Sequence, residues 1–282
     1  QIAVSIDNSL LYARLEEKVA ERTQDLNEAL VEVRALKEQQ DGDYFLNTLL
    51  IEPLAQNNAC SPSVELDFFI KQKKQFVFRN GQYELGGDIN ISENIELQKS
   101  KYVVFLNGDA MGKSIQGAGG VLVLGTVFKS IIQRTNSTDY GKTVYPEKWL
   151  KDAFVEMHKA FVSFDGSMLM SLVFGLIDER TGVMYFLNAE HPDIVLYRDG
   201  KASFIETTAN YTKLGTQGQA GSISVQVFSL LPDDIIISGS DGRDDIIIGK
   251  EEDSDYDIIN EDHELFLRHV EHAEGDIRKI YN

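Results

Sequence analysis

Tyr102-Val103-Val104-Phe105-Leu106-Asn107-Gly108-Asp109-Ala110-Met111-Gly112-Lys113-Ser114 is an apolar strand that runs into a Gly-Asp pair, with a helix from Gly117 to Ile132 beyond it. Asp is a poor strand residue, and an Asp that closes a strand usually belongs to a turn. Two other Asp residues share this setting: Asp88 in Glu84-Leu85-Gly86-Gly87-Asp88, and Asp241 in Ile236-Ile237-Ser238-Gly239-Ser240-Asp241-Gly242. Adjacent strands of one sheet would bring the three carboxylates to the same edge, where their repulsion is tolerable only with a cation among them. The flanking glycines let backbone approach closely and offer carbonyl oxygens as further ligands. Hard oxygen donors with waters left over suit Mg²⁺ or Mn²⁺ rather than zinc.

The Gly108 to Ser114 stretch also has the setting of a nucleotide-binding loop, between strand and helix. That motif needs four residues between its glycines so that backbone wraps phosphate, and here there are three, one of them the acidic Asp109. That spacing argues against the nucleotide reading and leaves it as the minor alternative.

Outward from this centre the pattern is strand-rich. Strands are expected at Phe76–Phe78, Tyr102–Leu106, Ser171–Ile177, Val183–Leu187, Ile194–Tyr197, Ser203–Ile205, Ser222–Ser229 and Ile235–Ser238. Asp178-Glu179-Arg180-Thr181-Gly182 and Asp199-Gly200 are turn chemistries that predict antiparallel hairpins. A second helix, Pro146 to Phe164, carries Leu150, Ala153, Phe154, Met157 and Phe161 at core spacing. Hairpins with helices inserted, rather than regular alternation, indicate an α+β fold. The acidic stretch from Asp233 to Asp262 reads in part as a solvated loop.

Upstream, Leu15, Val19, Arg22, Leu26, Ala29, Val33 and Leu36 follow a 4-3 spacing among charged residues. A 3.5-residue repeat predicts a parallel coiled coil over residues 10–40, hence a homodimer, with Arg22 interrupting the seam. The alternative is a solitary amphipathic helix docked on the domain. Gln39-Gln40-Asp41-Gly42-Asp43 reads as a joint before a second helix, Tyr44 to Leu54. The expected division is therefore 1–43 as linker and 44–282 as catalytic domain.

Composition narrows the partners. A net charge of −18 argues against nucleic acid, since phosphate backbones demand clustered Lys and Arg. No apolar run reads as long enough to span a bilayer, and no targeting signal is visible. The single Cys60 excludes an internal disulfide and fits a reducing, cytoplasmic setting, while five scattered His make no zinc spacing. Gln1 starts inside a helix, as a fragment would.

Gly86-Gly87-Asp88, then strand-Gly108-Asp109-x-x-Gly112 before a helix, then Asn188-Ala189-Glu190-His191-Pro192, then Ser240-Asp241-Gly242 resemble, in order, the SpoIIE-like branch of the metal-dependent PPM (protein phosphatase 2C type) bacterial serine phosphatases. The resemblance covers residues from about 44 to the end. It implies two antiparallel sheets flanked by helices, an α-β-β-α sandwich. It implies two ions, Mn²⁺ or Mg²⁺, with Asp109 bridging, Asp88 and the Ala110 carbonyl serving one metal and Asp241 the other. The nucleophile would then be a metal-activated water and not a side chain. The implied activity is hydrolysis of phosphoserine or phosphothreonine on a partner, of the anti-sigma-antagonist kind. Ile2-Ala3-Val4-Ser5-Ile6-Asp7-Asn8-Ser9-Leu10-Leu11-Tyr12 resembles the last helix of a GAF sensor domain, and Glu16 to Thr23 is similar to signalling linkers.

Departures from the family pattern are plain. Lys113-Ser114 replaces His-Gly, Glu190 replaces Gly, and the family's terminal Asp-Asp pair has no counterpart before Asn282. Truncation is the favoured account; substitution by Asp244 or Asp245, or weak metal binding, are the others. Asp244 and Asp245 are otherwise expected to line an acidic mouth or end a turn. Arg79 and Lys113 are candidate contacts for substrate phosphate, His191 is expected as a turn residue rather than a general acid, and His269 and His272 share a surface helix face. The rival function is a metal-free scaffold of the same fold acting as a dimeric binding module.

Overall fold

The computed structural model describes residues 2–112, 114–205, 211–218, 223–250 and 256–281. Its helices are α1 (Ile2–Ile51), α2 (Ile115–Ser137), α3 (Tyr140–Thr143), α4 (Pro146–Val162), α5 (Leu265–His272) and α6 (Ile277–Tyr281). The strands are β1 (Lys74–Phe78), β2 (Gly81–Leu85), β3 (Asp88–Leu97), β4 (Ser100–Ala110), β5 (Met170–Asp178), β6 (Val183–Ala189), β7 (Val195–Arg198), β8 (Lys201–Phe204), β9 (Gln226–Ser229), β10 (Ile235–Ile237), β11 (Ile247–Lys250) and β12 (Asp257–Ile259). The chain divides into two compact units, Gln1–Leu46 with Phe76–Tyr83, and Asn47–Gln75 with Glu84–Asn282.

In the first unit, α1 passes through Asp41-Gly42-Asp43 without a break, so the expected joint is absent. One helical Gly costs about 1 kcal/mol. Against that, Tyr44 is buried and packs on Phe76 at 5.7 Å between ring centroids, while Phe45 meets Phe78 at 5.1 Å and Tyr83 at 4.9 Å. A buried aromatic contributes roughly 1.5–3 kcal/mol, enough to hold the stretch helical. Further up the helix, Leu15, Val19, Leu26, Val33 and Leu36 are exposed, so the seam is not covered by this chain.

The second unit is built on a five-stranded antiparallel sheet, in the order β3-β4-β5-β6-β9, and a three-stranded antiparallel sheet, β10-β7-β8. Strand β5 is central and buried along its whole length, as a strand covered on both faces must be. On one face Ile89, Ile91, Val104, Leu106, Leu172 and Phe174 pack against Val121, Leu124 and Phe128 of α2 and Trp149 and Leu150 of α4. On the other, Phe105, Val173, Met184 and Phe186 meet Leu196 of the smaller sheet and Ile194 and Ile205, which flank its strands. The far face of that sheet closes on Phe266 and Val270 of α5 through Val195 and Ile237. The layers are thus helix, sheet, sheet, helix, the expected α+β sandwich.

Both expected hairpins form. β5 and β6 turn through Gly182 at φ 69°, and β7 and β8 through Asp199 and Gly200 at φ 51° and 79°. Strand β3 lacks a counterpart among the expected strands, as do β2, β11 and β12. The acidic stretch from Asp233 to Asp262, expected to be a loop in part, holds the expected strand β10, followed by a 3₁₀ turn at Asp241–Arg243, β11 and β12, and its residues 251–255 lie outside the described ones. By length and composition α2 is apolar enough to cross a membrane, contrary to the sequence reading; it is half-buried between the large sheet and α4. Arg134 and Glu156 join α2 to α4 by two hydrogen bonds of 3.1 and 2.6 Å, and Trp149 Nε1 donates to Thr135 Oγ1 at 2.8 Å.

Candidate metal centre

Strand register places the first two carboxylates. Asp88 opens β3 and Asp109 is the penultimate residue of β4, and the two are direct partners across the antiparallel pair. Glycine makes the corner possible. A Cβ on Gly87 would lie 2.5 Å from the Ala110 carbonyl oxygen and 3.1 Å from Asp109 Oδ1. The Ala110 N–H donates to the Gly87 carbonyl at 2.9 Å, which fixes the approach. From the helical side, a Cβ on Gly117 would sit 3.0 Å from Gly87 Cα, and one on Gly120 would sit 2.6 Å from Ala110 Cβ. The first turns of α2 therefore lie directly on this corner.

Asp241 arrives differently. It begins the 3₁₀ turn after β10, so it belongs to the end of the smaller sheet and not to a third strand of the same sheet, as the sequence reading had it. The stacking of the two sheets brings it near the corner. Arg243 anchors its turn: the guanidinium donates to the Asp193 carbonyl at 2.7 Å and to Asp244 Oδ2 at 3.1 Å, and lies 5.0 Å from the centroid of Phe266. Asp241 itself is exposed.

The electrostatics record the convergence. Burial first, then the charges of Asp88 and Asp241, push the Asp109 carboxyl up to about 6, with Lys213 opposing. Asp88 is also raised, chiefly by burial; a Ser240 hydroxyl hydrogen bond opposes this and the Asp241 charge adds to it. Among the described residues no three or more His, Cys, Asp or Glu side chains gather closely enough to enclose an ion unaided. The donor chemistry nevertheless fits a hard cation that keeps several waters. Asp88 Oδ1 is buried without a hydrogen-bond partner, and a buried unpaired carboxylate oxygen is costly unless a cation or donor meets it. The Ala110 carbonyl oxygen lies on the same Gly87 corner.

An open cleft of about 520 Å³ lies at this end of the sandwich, lined by Asp109, Ala110, Glu190, His191, Lys213 and Asp241 among others. His191 is a scaffold residue. Its N–H donates to Asn188 Oδ1 and its carbonyl accepts from Asn188 Nδ2, both at 2.8 Å, while its ring meets Ser171 Oγ at 3.1 Å and Asn107 Oδ1. Burial, followed by the charges of Arg243 and Lys213, pushes it down to about 3, so the ring stays neutral.

The profile of stage II sporulation protein E (SpoIIE) matches residues 99–282. The chain belongs to the SpoIIE family. The matched SpoIIE segment contains Asp109 and Asp241 and begins beyond Asp88. Among solved structures, the SiaA-PP2C domain of Pseudomonas aeruginosa is 16% identical, with 70% of each chain covered and a TM-score of 0.49. The RsbU and RsbW domains of Rv1364c from Mycobacterium tuberculosis are 21% identical over 56% of this chain, with a TM-score of 0.44; only 40% of that longer chain is spanned. The PP2C phosphatase domain with a regulatory fragment of SpoIIE from Bacillus subtilis is 14% identical over 56% of this chain and 42% of that one, with a TM-score of 0.40. No curated protein matches the chain.

Within this SpoIIE-family site the remaining candidates separate. Asp244 is tied to Arg243 and Asp245 is exposed, its N–H donating to the Asp241 carbonyl at 3.0 Å; both continue the Asp241 turn and neither lines the cleft. Arg79 lies on the β1–β2 turn of the first unit, where it stacks 5.2 Å from the Phe78 ring centroid and lines a separate hollow with Arg34 and Lys37. Lys113 falls outside the described residues. Sequence reading missed Lys213 and Arg243. Lys213 sits in no motif; Arg243, one residue past Ser-Asp-Gly, was legible as a basic residue in an acidic turn.

Proposed function

We propose that the chain is a metal-dependent protein phosphatase that hydrolyses phosphoserine or phosphothreonine on a partner protein. The observation that carries this reading is the direct pairing of Asp88 with Asp109, with Asp241 acting on both and Asp88 Oδ1 buried and unpartnered. Asp88, Asp109, Asp241 and the Ala110 carbonyl would hold Mn²⁺ or Mg²⁺, in the two-ion arrangement the family implies. Such ions supply Lewis-acid charge that acidifies water and offsets the charge on phosphoryl oxygens. In the net reaction a water oxygen bonds to phosphorus, the bond from phosphorus to the Ser or Thr oxygen breaks, and the alcohol leaves with a proton. The chain's own part is to fix donors on rigid strand ends. His191, neutral and held by Asn188, keeps the Asn188–Pro192 corner in place and leaves proton transfer to water. With Mn²⁺, p-nitrophenyl phosphate should be cleaved, and Asp109→Asn should lose ~10²-fold or more. Equal activity in Asp109→Asn would sink the assignment.

The exposed 4-3 seam of α1 supports a parallel homodimer through residues 10–40, and hence control by an upstream GAF-like input passed along a continuous helix. Sedimentation of the full chain should show a dimer that Leu26→Glu with Val33→Glu converts to monomer; a monomeric parent contradicts this. An exposed free thiol at Cys60 accords with a cytoplasmic location, and an anti-sigma-antagonist-like phosphoprotein is the substrate class the family resemblance favours. The scaffold reading rests on Lys113 and Glu190, and it requires that Mn²⁺ not bind at millimolar concentration.

A further inference from the structure

We infer that Lys213 binds a phosphate oxygen of the substrate, as the cationic side chain among the described residues that line a cleft also presenting Asp109, Glu190 and Asp241. The inference deepens the phosphatase reading and rests on it. Asp109, Glu190 and Asp241 all line the cleft, and a phosphate monoester must approach past them carrying its own negative charge. Lys213 lines the same cleft, and its charge reaches both Asp109 and His191.

The segment that carries Lys213 is anchored to the strands that frame the site. Leu214 exchanges backbone hydrogen bonds with Met170, the first residue of β5, at 2.8 and 3.2 Å, and Tyr211 bridges Ala189 at the end of β6. Between them, the Lys213 N–H donates to Glu190 Oε2 at 3.2 Å. Glu190 holds that place at φ 49°, a left-handed backbone that favours glycine. The Glu190 side chain thus fixes the main chain from which Lys213 projects. Residue 213 is half-buried, and among the described residues its ammonium donates to Met111 Sδ at 3.7 Å, a weak acceptor, and enters no ion pair. Arg243, the other cation close by, is committed to Asp244 and the Asp193 carbonyl. A Lys ammonium is a compact, rotatable point charge and suits a phosphoryl oxygen that shifts during reaction.

The competing role for Lys213 is to relieve repulsion among the carboxylates, in which case its loss would alter metal affinity and leave phosphate binding untouched. Calorimetric titration of inorganic phosphate into the full chain saturated with Mg²⁺ separates the two, with Mn²⁺ titrations in parallel. Lys213→Gln should weaken phosphate about tenfold, the scale of one charged hydrogen bond, and raise KM for p-nitrophenyl phosphate with kcat little changed. Lys213→Arg should retain most of the affinity, and Mn²⁺ should bind Lys213→Gln at least as tightly as the parent. Phosphate affinity equal to the parent's in Lys213→Gln overturns the inference, and so does a metal-loaded parent that takes up no phosphate. A parent that binds phosphate through Lys213 yet hydrolyses nothing would sink the phosphatase reading alone.

Discussion

Asp88 and Asp109 face one another across two paired strands of the large sheet, whereas Asp241 stands exposed on a three-residue turn at the end of the small one. The first pair is set by register and by glycines with no room for a side chain, so its geometry is a property of the core. The third is set by one guanidinium that ties its turn to Asp193, Asp244 and Phe266. One half of the candidate site is therefore preformed, and the other depends on one buried guanidinium that holds an exposed turn. Rigid placement of donors is what catalysis by position requires.

Gly87→Ala should break the contrast most severely. Its Cβ would meet a backbone carbonyl at 2.5 Å, an obstacle that cannot swing away, so a stability loss of about 1–3 kcal/mol is expected in chemical denaturation, together with loss of Mn²⁺ binding. Arg243→Ala should leave the corner intact and loosen only the turn. Metal affinity should then fall about tenfold with a smaller change in stability, in the range seen when supporting partners of metal ligands are removed. Equal effects from the two substitutions would erase the distinction.

A smaller effect belongs to the polar layer beneath the site. His191 is held neutral, its folded pKa depressed to about 3. Below the unfolded value of about 6.5 the unfolded chain binds the extra proton and the folded chain does not. The His191 contribution to stability is therefore complete above that pH and is lost progressively as pH falls toward 3. Without added metal, melting of the parent between pH 7 and 4 should decline more steeply than that of His191→Gln. Parallel declines would show that His191 is not the group responsible.

Much of the preformed half was legible, because Val103 to Leu106 and Ser171 to Ile177 are apolar runs bounded by turn chemistry. Strand β3 was not read as a strand: Asn90, Ser92, Glu93 and Asn94 are poor strand formers and hide the alternation of the buried Ile89, Ile91, Ile95 and Leu97. The helix through Asp41-Gly42-Asp43 was obscured because the rings that hold it, Phe76, Phe78 and Tyr83, lie more than thirty residues away. Asp241 was expected at the edge of the same sheet as Asp88 and Asp109 and lies instead at the end of the smaller one, since local pattern does not say which layer a short strand joins. Lys213 had no local signal at all; its place comes from a backbone bridge to Met170 and a contact with Glu190.

If Asp88, Asp109 and Asp241, from two sheets, hold a hard divalent cation as proposed, calorimetric titration of Mn²⁺ into the full chain shows it directly. The parent should bind Mn²⁺, Asp88→Asn and Asp109→Asn should each weaken binding tenfold or more, and Asp241→Asn should weaken it less, in keeping with its exposed turn. No binding to the parent at millimolar Mn²⁺, or binding that all three substitutions leave unchanged, would contradict the account.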